Sequence, residues 1–402
     1  TDAMAASAPL DDIAAGSATA AIHADKLQAQ RGKKRTFSTD LDVAPPLSLS
    51  TTFERDGEGL GHVYSRYTNP TRSRCEEVLG AIEGTAEVPA HAVLYSSGLS
   101  ACFAALAWLL PKRVAIEGGY HGTHQVLEQL HRISGGTKCV AVPLPAAGEV
   151  KETMEAGDVI WLESPRNPTC DVMDIAAYAA AAKEVGAKVV VDGTFAPPPL
   201  QRPLAFGADV VMHACTKALA GHSDVLSGAL CVASEAAAKE LRVQRTSLGS
   251  TPGQLETWLL MRSLRTVHMR VERQSATAKA LVDWLHAASL ASDAKAHPLA
   301  KKVKKVFYPT LCGADPELVA LQMPGGYGGC FAMELPTAEA ASTLPNALSL
   351  FTNATSLGGV ETLIDYRRTY DATVSPLLLR ISVGLEDFEH LRADLQQGIL
   401  KV

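Results

Sequence analysis

From about Asn69 onward the chain alternates short apolar runs with amphipathic stretches, and this alternation limits the folds open to it more than any other feature. Leu94-Tyr-Ser-Ser-Gly leads into a helix over residues 100–110, Arg113-Val-Ala-Ile-Glu reads as a short strand, 125–133 as a helix and Cys139-Val-Ala-Val as a strand. Val159–Glu163 and Lys188–Asp192 are strands on either side of an Ala-rich helix, Ile175–Val185. Apolar strands separated by helices predict an α/β molecule whose large sheet is mostly parallel and covered on both faces. Ligands of such a sheet bind at the carboxyl ends of its strands.

Pro252 opens a long helical stretch through Trp258 and Leu264 to about His286, read as a link between two domains. Beyond it, strands such as Cys330-Phe-Ala-Met-Glu and Leu379-Arg-Ile-Ser-Val alternate with helices such as 387–398, which predicts a smaller α/β domain. The expected divisions are 1–63, a tail and arm contacting a neighbouring subunit; 64–255, the large domain; and 256–402, the small one. Within the first, residues up to about 21 are Ala- and Ser-rich, as in a mobile tail. From Ile22 to Val63 the chain carries Pro45-Pro46 and Gly57, Gly59 and Gly61, the composition of an extended arm.

With 402 residues, 47% hydrophobic and 20% charged, the chain can bury a large core and is not generally disordered. A net charge of −6 gives no electrostatic case for nucleic acid. The densest basic cluster, Lys301-Lys302-Val-Lys304-Lys305, runs into Val306-Phe307-Tyr308 and reads as a solvated strand edge. Eight cysteines without a Cys-x-x-Cys pair support neither a metal nor a disulfide framework and fit a reducing, cytoplasmic compartment. No apolar stretch reaches transmembrane length, and the first residues lack the pattern of a secretory signal.

Candidate chemistry gathers at the ends of the apolar runs. Lys217 follows Val-Val-Met-His-Ala-Cys-Thr; a lysine held behind a buried strand loses hydration, which favours the neutral amine, a nucleophile able to capture an aldehyde cofactor as a Schiff base. Asp192 ends Lys-Val-Val-Val-Asp and could keep the ring nitrogen of pyridoxal phosphate (PLP) protonated. Singly, a lysine after a strand is usually a surface residue and an aspartate at a strand end usually a cap. The ordered pair is more specific. Ser97-Gly98-Leu99 stands between a strand and a helix, where backbone N–H groups could bind a phosphate, with the Thr216 hydroxyl as a further donor. Tyr120, in a Gly-rich turn after a strand, could stack on a flat ring. Tyr64 and Arg66, two residues apart, point to one side of an extended segment.

These residues stand in motifs that resemble the PLP-dependent Cys/Met metabolism (transsulfuration) enzymes, a family of cystathionine γ-synthases, cystathionine β- and γ-lyases and methionine γ-lyases. The likeness runs through Tyr64-Ser-Arg66 with Asn69-Pro70-Thr71, Ser97-Gly98-Leu99, Glu163-Ser-Pro-Arg-Asn167-Pro-Thr, Val-Asp192-Gly-Thr, Thr216-Lys217, Gly221-His-Ser-Asp224, Ser356-Leu-Gly-Gly and Leu379-Arg380-Ile-Ser-Val-Gly. It covers nearly everything after residue 40 or so. The resemblance implies the aspartate aminotransferase-like fold (fold type I), PLP as cofactor, and a homotetramer built as a pair of dimers. It also implies roles: Lys217 as Schiff-base lysine and proton shuttle, Asp192 opposite the pyridine nitrogen, Tyr120 as stacked ring and acid/base group. Gly98, Leu99 and Thr216 would hold the phosphate, joined by Tyr64 and Arg66 from the adjacent subunit. Asn167, Thr355, Ser356 and Arg380 would line the amino-acid site, with Arg380 on the substrate carboxylate.

Three positions depart from the family pattern. Ala214 replaces a common Ser and removes a phosphate contact; Gly193 replaces a common Asn after Asp192, which would loosen that turn; Thr355 stands where γ-synthases and γ-lyases often carry Glu. Without that Glu, a substrate's distal ammonium loses an obvious partner. Arg367 and Arg368 offer either a contact to a distal carboxylate or, as adjacent arginines usually do, a solvated face. The expected function is a carbon–sulfur lyase acting on cystathionine or a related cysteine thioether. The alternative is a γ-replacement synthase using an activated homoserine, and a PLP-free binding protein on the same scaffold is the outlying third.

Overall fold

Period two along Lys188–Asp192 sends Val189 and Val191 to one side of a sheet and Val190 to the other, and all three are buried. The computed structural model describes residues 16–30, 43–54 and 61–402. Its large sheet has seven strands: β1 (His91–Tyr95), β2 (Arg113–Ala115), β3 (Val140–Val142), β4 (Val159–Glu163), β5 (Lys188–Asp192), β6 (Val210–His213) and β7 (Gly228–Val232). They lie in the order β1-β7-β6-β5-β4-β2-β3, and every neighbouring pair from β6 to β3 is parallel. Only β7 runs against its neighbours, β1 and β6. The alternation read from the sequence is therefore this mostly parallel sheet.

Local signals set many boundaries. The helix Ile175–Val185 starts at Asp174, whose carboxylate accepts from Ala177 N at 2.9 Å, and stops at Gly186, which takes φ 76°. The helix expected from residue 100 starts two residues earlier, at Gly98, because the Ser97 hydroxyl caps it by accepting from Ser100 N at 3.0 Å. The helix expected from residue 125 begins at His121.

A second sheet of five strands follows: β8 (Lys305–Phe307), β9 (Cys330–Glu334), β10 (Thr352–Asn353), β11 (Leu363–Tyr366) and β12 (Leu378–Ser382), ordered β10-β11-β12-β9-β8. It has its own core, with Phe331, Ile364, Leu379 and Ile381 fully buried. The basic cluster ends in the edge strand β8, and Lys304, just before it, pairs with Glu334 at 3.2 Å.

Two expectations are corrected. The single long helix after Pro252 is two, Gln254–Leu264 and Val267–Leu290, because Thr266 leaves helical geometry at φ −122°, ψ 10°. Arg270 fixes the corner by donating to the carbonyls of Ser263 (2.9 Å), Ala218 (2.7 Å) and Leu219 (3.1 Å). The mobile tail and extended arm give way, over Ala18–Gln30, to a helix packed on Pro70–Glu83. Its buried residues include Ala20, Ala21 and Ala24, whose single-carbon side chains permit close approach but leave little periodic signal. The segment around Pro45 is extended and tied to its own chain: Trp258 Nε1 donates to Pro45 O (2.7 Å) and Ser48 N to Thr71 Oγ1 (2.9 Å). Residues 1–15 of the expected tail, and Gly57 and Gly59 of the expected arm, lie outside the described residues. Among the described residues no helix is long and apolar enough to cross a membrane, and all eight cysteines are free.

Candidate active site

The carboxyl ends of β4, β5 and β6 face the small sheet across a cavity of about 600 Å³. Strand β5 delivers Asp192 to its wall, where the side chain is 4% exposed and Oδ1 accepts from Thr194 N at 3.0 Å. Burial raises the Asp192 pKa from its ordinary value. A buried carboxylate of this kind calls for a positive partner in the cavity.

The turn after Asp192 is tied rather than loose. Gly193 N donates to Met212 O at 3.0 Å and Ala214 N to Thr194 Oγ1 at 2.9 Å. The Cβ of any larger residue at 193 would stand 2.8 Å from His213 Cε1, and His213 is itself held by Glu83, Nε2 to Oε2 at 2.9 Å with both side chains buried. His213 takes the space that an Asn side chain would need.

Beyond β6 the chain turns through Ala214 to Thr216 and Lys217. Gly98 packs on this turn so closely that a Cβ there would lie 2.8 Å from that of Ala214. Gly98, Leu99, Ala214 and Thr216 all line the cavity. The Thr216 hydroxyl accepts from Ser227 N (3.0 Å) and donates to Ser227 O (3.2 Å). Lys217 Nζ donates to Ser356 Oγ at 2.7 Å. Desolvation, then the nearby Arg380 guanidinium, with a smaller contribution from Arg367, lowers the Lys217 pKa to about 8. An ordinary lysine is almost wholly ammonium at neutral pH; this one keeps a usable fraction of free amine.

Ser356 arrives from the small-sheet side with φ 92°, a left-handed conformation that costs a non-glycine residue of order 1–3 kcal/mol. That conformation turns its hydroxyl to Lys217 while its carbonyl accepts from Arg380 Nη2 at 2.8 Å. Arg380, on β12, is 3% exposed; its Nη1 also donates to Asn167 Oδ1 at 3.2 Å, and Asp365 Oδ2 on β11 lies 3.3 Å from Nη2. Thr355 lines the cavity rim.

Tyr120 caps the helix His121–Ile133, and its half-exposed ring borders the cavity. One residue that carried no expected role organises this wall. Glu163, at the end of β4, accepts from Tyr120 N at Oε2 (2.7 Å) and from Asn167 N at Oε1 (2.8 Å). Burial first, then the Asp192 carboxylate, pushes its pKa up. Its place at the end of an apolar strand, the same signal that singles out Asp192, was available in the sequence.

The structure thus brings together Lys217, Asp192, Tyr120, Gly98, Leu99, Thr216, Asn167, Thr355, Ser356 and Arg380 around one cavity. It leaves out Tyr64 and Arg66. Both are exposed, with the guanidinium 5.4 Å from the Tyr64 ring and 5.1 Å from that of Tyr67, and Arg66 Nη1 donating to Thr246 O at 3.4 Å.

Comparison with known proteins follows the same lines. A family model described as Cys/Met metabolism PLP-dependent enzyme matches residues 19–400. A cystathionine gamma-synthase of Escherichia coli (strain K12) is 37% identical over 377 residues, covering 89% of this chain and 92% of that one. A cystathionine beta-lyase of Lactococcus lactis subsp. cremoris (strain MG1363) is 31% identical over 392 residues, covering 94% and 99%. Among solved structures, apo CalE6, a methionine gamma lyase from Micromonospora echinospora, superposes with a TM-score of 0.81 at 34% identity, covering 95% of this chain and 98% of that one.

Proposed function

The chain belongs to the Cys/Met metabolism PLP-dependent enzymes, and from that premise we propose that it is a carbon–sulfur lyase cleaving cystathionine or a related cysteine thioether to a thiol, ammonia and a keto acid. The observation that carries this reading is Lys217: an amine lowered to about 8, aimed at Ser356 Oγ, in the cavity it shares with Asp192 and Arg380.

The residues present fit pyridoxal 5'-phosphate. Asp192, buried without a cation among its hydrogen-bond partners in the described residues, suits a positive ring nitrogen. The amino end of the helix Gly98–Leu109, with Leu99 and Thr216 beside it, suits the phosphate. Tyr120 suits the ring face and Lys217 the aldehyde carbon. When bound, the cofactor draws electron density away from the substrate's α-carbon and so makes its proton removable.

The chain's own groups do the rest. Arg380 binds the substrate α-carboxylate, held in line by the Ser356 carbonyl and Asn167. Lys217 Nζ takes the α-proton as general base, and Ser356 Oγ orients that amine. The thiolate then leaves from the β-carbon; moving the proton one carbon further with the same Nζ would allow γ-elimination. The Tyr120 hydroxyl is the group at hand to protonate the departing sulfur. Glu163 fixes both Tyr120 and Asn167 through their backbone amides.

We assign Tyr64 and Arg66 to the phosphate of an adjacent subunit in a homotetramer; their place outside their own chain's cavity supports this. Eight free cysteines support a cytoplasmic setting.

The test is a panel of cystathionine, cysteine, homocysteine, methionine and acylated homoserines, incubated with the PLP-loaded protein and scored for keto acid and thiol. Keto acid from a thioether without added nucleophile is the expected result. Absolute dependence on a second substrate would make the protein a γ-replacement synthase, the reading favoured by its likeness to the Escherichia coli cystathionine gamma-synthase.

A further inference from the structure

Arg367 and Arg368 are adjacent in sequence and opposite in circumstance. Arg368 is exposed, and its Nη1 donates to the carbonyls of Ala372 and Val374, the latter at 2.9 Å. It serves the loop to which it belongs. Arg367 is 6% exposed and lines the same cavity as Lys217 and Arg380.

A buried guanidinium needs its planar fork of donors filled, since desolvating a charge without a full set of partners is costly. Arg367 falls short of this. Among the described residues its one ion pair is with Asp365 Oδ2, 3.3 Å from Nη1, and the same oxygen lies 3.3 Å from Arg380 Nη2. Charge-assisted bonds ordinarily close to about 2.7–2.9 Å, so one carboxylate is stretched between two cations. The Nε of Arg367 is buried with no hydrogen-bond partner among the described residues. The other acids on the cavity wall are engaged elsewhere: Glu163 by the Tyr120 and Asn167 amides, Asp192 by Thr194. Thr355, on the same rim, carries no charge to answer a distal ammonium. The field of Arg367 also reaches the reacting amine, since it helps to lower the Lys217 pKa.

We propose that Arg367 is a second carboxylate-binding point in this cavity, so that the enzyme selects amino acids carrying a carboxylate beyond the scissile bond. Arg380 takes the α-carboxylate and Arg367 the far one. A thioether whose sulfur joins two carboxylate-bearing arms satisfies both; methionine and cysteine satisfy one. The inference rests on the lyase reading for the bond that breaks, but the binding it describes does not require that bond to break.

Two matched pairs test it on the PLP-loaded protein. S-carboxyethylcysteine and S-propylcysteine, compared by kcat/KM for keto-acid release, differ only in a terminal carboxylate against a methyl. α-Aminopimelate and α-aminoheptanoate, compared by calorimetric Kd, differ in the same way and contain no sulfur to cleave. The wild type should prefer the acid of each pair by roughly 30-fold or more, the range for a buried charge pair. Arg367→Ala should bring both ratios to within about threefold, Arg367→Lys should retain an intermediate ratio, and Arg368→Ala should leave both ratios as they are. Equal treatment of both members by the wild type, or an undiminished ratio in Arg367→Ala, would overturn the proposal. If no thioether yields keto acid while the calorimetric ratio still follows Arg367, the lyase reading fails and the subsite stands. If keto acid forms equally well from both thioethers and the calorimetric ratio is near one, the subsite fails and the lyase reading stands.

Discussion

The cavity has two walls, and different physics holds each. On the large-sheet side, Asp192 ends one buried strand and Lys217 follows the turn after another, and these turns are fastened by backbone bonds such as Gly193 N to Met212 O and Lys217 N to Ala214 O, both 3.0 Å. On the small-sheet side, Ser356, Arg380 and Arg367 are placed by side-chain charges around Asp365 and by one residue in a left-handed conformation. A backbone-fastened wall tolerates changes to its neighbours. A wall built on one shared carboxylate passes any change at Asp365 to two guanidiniums at once. The difference suggests a division of labour, in which the first wall sets whether the reaction runs and the second mainly sets what is bound, with Ser356 also orienting the Lys217 amine.

That division can be broken by substitution. Lys217→Ala should lower kcat by about a thousandfold or more while the far-UV circular dichroism stays native, since it removes both nucleophile and base. Residual activity within tenfold of wild type would remove Lys217 from the chemistry. Asp192→Asn should lower kcat by about 100- to 1,000-fold with little change in KM, because it withdraws charge stabilisation that grows in the transition state. Arg380→Ala should act the other way round, raising KM by roughly 30-fold or more with a smaller fall in kcat. Were Arg380→Ala to spare KM and abolish kcat, the two walls would not differ in the way described. Ser356→Ala, which removes one hydrogen bond to Nζ, should lower kcat by about 2- to 10-fold in steady-state assays.

How much of this was visible in the sequence depends on how local the cause is. Val159–Glu163, Ile175–Val185 and Lys188–Asp192 have the boundaries read from the sequence, because apolar runs, the Asp174 cap and Gly186 are all short-range signals. The break at Thr266 was not legible, because the groups that fix it are carbonyls near Ala218, about fifty residues away in the chain. The helix Ala18–Gln30 was missed because alanine gives weak periodicity. In the site, Asp192 at a strand end and Lys217 just behind another apolar strand stood out, and the family motifs supplied Ser356 and Arg380. The staple made by Glu163 was not drawn from the sequence, since its partner Tyr120 is 43 residues distant. Nor could the sequence separate Arg367 from Arg368, because their difference lies in β11 lying beside β12, a pairing that sets Asp365 opposite Arg380.

The central claim is that the Lys217 amine, with its proton affinity lowered by burial and by Arg380, is the nucleophile of this cavity. An ammonium cannot attack, so the rate of capture must rise as pH increases through the pKa of the amine. The direct measurement mixes cofactor-free protein with pyridoxal phosphate from pH 6 to pH 10, traps the product with borohydride, and follows the modified peptide by mass spectrometry. The account predicts modification at Lys217 with a rate that is half-maximal near pH 8, about where its lowered pKa lies. Modification at another lysine, or a rate still climbing steeply at pH 10 as for an ordinary exposed amine, would contradict it.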